Sequence, residues 1–585
     1  MSKISLARTK SGVPSRLIVY CDYTENSKAK LAGRGVGSYR VTSKSWSYPV
    51  DPQIFHSILT QLPDIEIPIE VAEYFKGLYD KQQRVRKATT NFAPLDTTDK
   101  LWSFQRASIR FIEEIGRGIL AHEMGTGKTV IGAYALKYFD SSKVLIICPD
   151  AVKWSWSDHL KAWTDKRPTI MWSKKVSKRI RNLLIDEADI IDGNKAVDRD
   201  YQILNLLKTA DSFVLLLNYD QARIHRKVLE SLEYDFLIVD EAHRINNRKT
   251  QRAETVVSLA KNSYRVALLS GTVFRKSYAD FFNLLHICDP VRFPSYWNFI
   301  KFYMETIDSP YGGSEIVCLT DPEAFNAMLS QYMYHKSKKE ALPDLPDIII
   351  QPLKLPLNQR QATAYERMEQ EFLIEIKRHL DDGQELDSIL RAPTVLARLT
   401  RLRQICLTPA ILGGVADSAK LDAIRELLEE DYKDTDEKIL FFSMFRAFLP
   451  YIEVIFESLN IPYGKIVGGM KLEERREVEQ ALNSGAIRGV LGTIDAMGEG
   501  LNLQAAKTVV LCDKSWLDVV NQQAISRVHR GTITEAPRVI ELYHPGTVEE
   551  DVRASCRKRA RLHDETVGQV ETVRQLLIRK GIGLV

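Results

Sequence analysis

The chain has 585 residues, 44% of them hydrophobic and 27% charged, with a formal net charge of +5. That length exceeds what one hydrophobic core serves, so three or more domains are expected. No run approaches eighteen uninterrupted apolar residues, and the start, MSKISLARTK, has no apolar signal core. Both features argue against membrane insertion or secretion and for the cytoplasm, or the nucleus in a eukaryote. The seven cysteines lie far apart with no C-x-x-C pair, a pattern that suits free thiols and offers no metal site.

Residues 1–50 carry nine Lys/Arg against two acids. Such a segment is compatible with phosphate backbones and equally with a solvated basic face. Residues 12–48 alternate polar side chains with Leu, Ile, Val, Tyr and Trp around GRGVGS, which predicts short strands and a hairpin. DPQIFHSILTQLP predicts a helix opened by Asp51, and residues 68–87 a second helix. Residues 1–95 are therefore expected to form a small α+β accessory domain, ended by the polar, proline-containing NFAPLDTTD.

From Leu101 onward apolar runs alternate with helical patterns: GILAHE, KVLIICP, SFVLLLN, DFLIVDE and VALLSGT. This is the βαβ rhythm of a parallel sheet. It breaks between Phe274 and Glu437, where the pattern is mostly helical, and resumes with KILFFS, GKIVGG, GVLGT, TVVLCD and VIELYH. The expected fold class is α/β, with two parallel-sheet lobes at 96–290 and 438–550 and a helical insertion at 291–437. Residues 551–585, with CRKRARLHDETVGQ and VRQLLIRKGIG, predict a basic amphipathic brace.

HEMGTGKTVIGAYAL, residues 122–136, follows a strand and opens a helix. Gly125, Thr126 and Gly127 let the backbone wrap phosphates, Lys128 can reach the terminal phosphates, and Thr129 can ligate Mg²⁺. His122 stands where a strict Walker pattern has glycine. Two acidic boxes compete for the metal: LLIDEADII at 183–191 and FLIVDEAHR at 236–244. A magnesium carboxylate belongs at the C-terminal tip of a buried parallel strand. Phe236–Val239 is such a run, so Asp240 is assigned to Mg²⁺ and Glu241 to the base that positions water. LLIDEADII reads instead as an amphipathic helix or connector. Gln105, about twenty residues before the phosphate loop, is placed to read an adenine edge. Arg527 and Arg530 are three apart, so on a helix both face one direction, and arginines inserted from a second lobe can stabilise the transferring phosphoryl group.

In order along the chain, HEMGTGKT, VLIICPDAVKWSWSDHL, DEAHRINN, LLSGT, LTRLRQICLTP, KILFFSMF, IVGGM, GEGLNLQAA and QQAISRVHR resemble the superfamily-two helicase-like motors, specifically their Swi/Snf branch of DNA translocases. The resemblance runs from Leu101 to about Val552. It implies two RecA-like lobes, ATP and Mg²⁺ as cofactors, and DNA as partner, bound mainly through phosphates by a monomer. It gives nucleotide roles to Gln105, Gly125, Thr126, Gly127, Lys128, Thr129, Asp240, Glu241, Gly500, Arg527 and Arg530, and places Pro149, Trp156 and Asn502 near the nucleic-acid track. The N-terminal module is similar to the HepA-related (HARP) domain of annealing helicases. SGTV in place of TGTP, Leu-Asp after Trp516, and HRGTIT depart from the usual pattern without removing a catalytic side chain. The implied function is an ATP-dependent translocase on duplex or branched DNA. A strand-separating DNA or RNA helicase, the motor of a nuclease complex, and a nucleotide-gated scaffold without turnover are the competing readings.

Overall fold

A computed structural model describes residues 2–9, 14–32, 36–90, 100–172, 188–193, 195–271, 278–308, 314–382, 389, 392–497, 501–531, 533–558 and 576–577. They divide into two compact units, one of residues 1–123 and 127–341, the other of 124–126 and 342–585.

The first unit begins with an antiparallel sheet in the order β1-β2-β4-β3, made of β1 (Lys3–Arg8), β2 (Pro14–Tyr20), β3 (Ser38–Arg40) and β4 (Ser45–Pro49). Asp51 then opens the helix Pro52–Gln61, as the sequence predicts, its Oδ1 accepting from the backbone N–H of Gln53 and Ile54. The helix Ile69–Thr90 comes next and packs on the helix Ser103–Ile115. Some of the N-terminal basic charge is spent locally, in the pairs Lys3–Glu66 and Arg8–Glu70.

The chain continues with β5 (Arg117–Leu120), β6 (Lys143–Ile147), β7 (Pro168–Met171), β8 (Asp189–Ile191), β9 (Phe213–Leu217), β10 (Tyr234–Asp240) and β11 (Ser263–Leu269), with helices between most of them. After the hairpin β12 (Met304–Asp308) and β13 (Ser314–Leu319), the short β14 (Met333–Tyr334) completes an eight-stranded sheet. Its order is β14-β5-β11-β10-β6-β9-β7-β8, and every pairing is parallel. Such sheets are covered on both faces, which is why β6, β9 and β10 read as continuous apolar runs.

Residues 1–95, expected to form a small α+β accessory domain, fall within the first unit. Ile4, Leu17, Tyr48 and Ile54 belong to one continuous apolar cluster with Leu145, Leu215 and Leu237 of the large sheet. An ion pair completes the weld: Arg292 Nε lies 2.5 Å from Asp51 Oδ2, with both side chains 4% exposed. Arg292 also donates to Gln331 Oε1. One aspartate thus caps a helix with one oxygen and fixes that helix to the next domain with the other.

The second unit holds a six-stranded sheet, again wholly parallel, in the order β15-β20-β19-β16-β18-β17. Its strands are β15 (Ile349–Lys354), β16 (Ile439–Ser443), β17 (Tyr463–Ile466), β18 (Gly489–Thr493), β19 (Thr508–Leu511) and β20 (Arg538–Tyr543). Each sheet forms the parallel core of its own unit. The helix Val548–Lys558 is held to the second by buried pairs, Glu549 with Lys420 and Arg553 with Glu541. Among the described residues no helix is long and apolar enough to cross a membrane.

The expected helical insertion at 291–437 is not one body. Its first part supplies β14 to the first sheet and its second part supplies β15 to the other. Both are edge strands; β14 has two residues and β15 is exposed throughout, so neither carries the buried apolar run that marks a strand in sequence.

Removing one partner of a buried ion pair strands the other's charge. Arg292→Met is expected to cost the first unit about 3–5 kcal/mol in urea denaturation, whereas an unchanged midpoint would show that the pair does not hold the N-terminal module.

Candidate nucleotide site

Strand register sets the geometry. Asp240 pairs with Leu269 on β11, and Leu269 pairs with Leu120 on β5. The tips of three adjacent strands therefore stand level, and Asp240 is two strand spacings, about 10 Å, from the strand that launches the phosphate loop. The loop turns through Gly125 (φ 80) and Gly127 (φ 79), left-handed conformations that glycine adopts without strain. Gly127 is also tight: a Cβ there would lie 2.8 Å from Gln105 Nε2. The helix Lys128–Tyr138 starts at once, so its first backbone N–H groups and the positive end of its dipole face the loop.

Lys128 Nζ donates to the carbonyls of His122 (2.8 Å) and Glu123 (3.0 Å). Thr129, half-buried, lies in the first helical turn. Gln105 is buried, and its Oε1 accepts from Trp102 N at 3.1 Å. His122 is buried as a neutral ring: its pKa is lowered to about 3, first by burial and then by Lys128. Ser108 Oγ lies 2.7 Å from both Phe104 O and His122 Nε2.

Asp240 is 8% exposed. Burial pushes its pKa up to about 6, with the Glu241 charge adding to this; a hydrogen bond from Trp156 and the Lys128 charge pull the other way. Glu241 is the next residue, in a left-handed conformation (φ 53), and places Oε2 3.1 Å from His243 Nδ1. His243 Nδ1 also lies 3.2 Å from Ser270 Oγ, which ties the acidic turn to the end of β11.

The rival acidic pair, Asp186 and Glu187, lies outside the described residues, as do Gly500 and Thr272. The C-terminal end of that acidic box is described and differs from the expected helix or connector: Asp189–Ile191 is β8, the far edge strand, separated from β10 by β6, β9 and β7.

In the second unit the helix carrying QQAI ends at Ile525. Arg527 and Arg530 are therefore not on one helical face. The backbone tightens to i−3 bonds, Arg527 N to Ala524 O and Val528 N to Ile525 O. Arg530 Nη2 donates to Leu501 O at 2.6 Å, and Leu503 N donates to Arg527 O. Burial first, and then the like charge of Arg527, lower the Arg530 pKa to about 10, so the two guanidinium groups still share one neighbourhood. Asn502 N donates to Glu479 Oε1 nearby.

A family model described as "SNF2-related domain" matches residues 69–411, and one described as "Helicase conserved C-terminal domain" matches 419–532. The chain belongs to the SNF2-related family. It is 23% identical to the Schizosaccharomyces pombe "SWI/SNF chromatin-remodeling complex subunit snf22", over 77% of this chain and 27% of that protein. It is 24% identical to the Arabidopsis thaliana "Probable ATP-dependent DNA helicase CHR12", over 76% of this chain and 39% of that one. It spans a quarter to two fifths of the length of these curated relatives. Among solved structures it is similar to "Sulfolobus solfataricus SWI2/SNF2 ATPase core in complex with dsDNA" at 23% identity and TM-score 0.34, covering 83% of this chain and 98% of that one.

In this SNF2-related chain the three candidates for the nucleic-acid track fare differently. Pro149 is buried at the end of β6, and Asn502 is half-buried. Trp156 is corrected outright: it is 0% exposed, with its indole Nε1 donating to Asp240 Oδ2 at 2.8 Å, so no polymer reaches it. Tyr219, which the sequence did not single out, donates its hydroxyl to Asp240 O. Neither contact leaves a trace in local sequence, because each joins the tips of different strands.

A carboxyl whose folded pKa is raised contributes stability that is full at low pH and lost as pH rises through about 6. Above that, ionised Asp240 costs stability in the metal-free protein. Asp240→Asn, whose amide cannot accept both of the hydrogen bonds that Asp240 takes from Trp156 Nε1 and Glu241 N, is expected to lower the metal-free melting temperature near pH 4 and then to lose less than the wild type as pH rises from about 4 to about 7; a variant that loses as much as the wild type over that range would contradict the assigned electrostatics.

Proposed function

We propose that this chain is a DNA-dependent ATPase that converts ATP hydrolysis into movement along duplex or branched DNA. The observation that carries the reading is the level alignment of the phosphate-loop strand with the Asp240–Glu241 tip, two strands apart, inside a SNF2-related match. The helicase C-terminal match over 419–532 and the DNA-helicase name of one relative point the same way.

ATP phosphates take the loop N–H groups of Gly125 to Thr129, and Lys128 leaves the carbonyls of His122 and Glu123 for the terminal phosphates. The donor set fits Mg²⁺, a hard cation that needs only one or two protein oxygens beside phosphate and water. Asp240 is a buried carboxylate whose pKa burial has raised, which is what an adjacent cation would relieve, and the Thr129 hydroxyl is the second donor. Mg²⁺ would supply charge neutralisation on the phosphate oxygens. Glu241 orients and deprotonates the attacking water, Arg527 and Arg530 stabilise charge on the phosphoryl group, and Gln105 and Gly500 contribute to nucleotide contacts. DNA is held mainly through phosphates, near the segments of Pro149 and Asn502 and along the basic N-terminal module, which gives salt-sensitive, sequence-tolerant binding. Each cycle advances about one base pair, roughly 3.4 Å, without obligatory strand separation.

Glu241→Gln is expected to cut ATP turnover by about a thousandfold or more while leaving ATP and DNA binding near wild type, measured by phosphate release and by filter binding. Retained turnover would remove Glu241 as the base. Asp186→Ala is expected to leave turnover within about twofold of wild type, and a dead Asp186 variant would hand the metal to the other acidic box.

A further inference from the structure

Two aromatic side chains that carry no role in the chemistry above converge on the Asp240–Glu241 turn. The Trp156 indole lies on the helix Lys153–Trp163, which comes after β6. Its ring is wedged against the phosphate-loop helix at Gly132: a Cβ added there would meet Trp156 Cη2 at 2.6 Å, so only glycine leaves the ring its seat. From that seat Nε1 donates to Asp240 Oδ2 at 2.8 Å, while Oδ1 accepts from Glu241 N at 2.9 Å. Both carboxylate oxygens are thus held from fixed directions, and the rotation of the group is defined before any ligand arrives.

Tyr219 begins the helix Tyr219–Ile224 after β9 and is buried. Its hydroxyl donates to Asp240 O at 2.5 Å and lies 3.2 Å from Glu241 O. Those carbonyls flank the left-handed residue Glu241, a conformation that a non-glycine residue keeps only where its surroundings hold it. The two aromatics are anchored in turn. Lys153 Nζ donates to Gln221 Oε1 at 2.8 Å, and Asn218 Nδ2 donates to Asp150 Oδ2 at 2.6 Å, so the segments after β6 and β9 form one hydrogen-bonded support.

We propose that Trp156 and Tyr219 are positioning residues, Trp156 setting the rotation of the Asp240 carboxylate for a divalent cation and Tyr219 holding the turn that aims Glu241. The inference rests on the nucleotide reading above and deepens it. Outer partners of this kind typically change metal affinity by about ten- to a hundredfold when removed. Gly132 is the third member, because its missing side chain gives the indole its position.

The test uses the full chain, with Mn²⁺ as a paramagnetic probe titrated against the protein saturated with a non-hydrolysable ATP analogue and read by electron paramagnetic resonance. Trp156→Phe keeps the ring and removes the donor; it is expected to weaken Mn²⁺ about tenfold while analogue binding in EDTA stays at the wild-type value. Gly132→Ala, which pushes the ring aside, is expected to shift Mn²⁺ in the same direction. Tyr219→Phe is expected to lower kcat about tenfold with KM for ATP unchanged, since it touches the turn and not the nucleotide. Mn²⁺ affinity within twofold of wild type in both Trp156→Phe and Gly132→Ala would overturn the role of Trp156, and an unchanged kcat in Tyr219→Phe would overturn that of Tyr219. If Trp156→Phe does not fold, Gly132→Ala decides the first role alone. A wild-type chain that binds no Mn²⁺ with the analogue would overturn the nucleotide reading itself, an outcome distinct from a wild-type chain that binds and variants that bind equally well.

Discussion

Keeping a carboxylate ionised inside a protein is costly, and the first unit is built around one that is placed there. Asp240 is carried to its position by three parallel strands whose tips stand level, and it is buried by the same close packing that gives those strands their order. The Trp156 indole, the Glu241 amide and the Lys128 charge each offset part of the desolvation, yet the balance still favours protonation more than in water. Under the proposed function, a site left electrostatically short in this way takes a cation delivered with its own phosphates.

The second unit offers a control for that argument within the same chain. Asp513 is also buried and also lies just past a parallel strand, β19, at the tip of its sheet. Burial raises its pKa too, but here Arg403 opposes the shift. Arg403 lies 3.0 Å away, beneath the faces of Trp516 and Phe445, while Ser443 Oγ and Met444 N donate to the other oxygen. Arg403 answers the charge itself, so Asp513 locks strand ends together. The same residue type at the same place in a fold becomes a lock when a guanidinium answers it and a candidate ligand when none does. Asp51 is a second lock, paired with Arg292, and it makes the N-terminal sheet part of the first unit.

Most strands of the two large sheets were legible as apolar runs, because a parallel strand covered on both faces has no polar face to interrupt it. The helix opened by Asp51 was legible through its cap. The remaining strands were not: β7 and β8 are short, β14 has two residues, and β15 is exposed along its length. Of the candidate site, the glycines, Lys128 and the acidic pair are contiguous text, whereas Trp156 and Tyr219 meet Asp240 only because β6 and β9 lie on the same side of β10. Strand order is a long-range property that local pattern does not encode. Spacing likewise suggested that Arg527 and Arg530 share a helical face; the helix stops two residues before Arg527, and a tighter turn brings the pair into one neighbourhood by another route.

The most direct test of the account is steady-state phosphate release from the full chain at fixed salt, with duplex DNA, single-stranded DNA, forked DNA and duplex RNA supplied in turn. Stimulation that is largest with duplex or forked DNA, and that falls as salt is raised, is the predicted result. Turnover indifferent to all four polymers, or stimulated best by RNA, would contradict it.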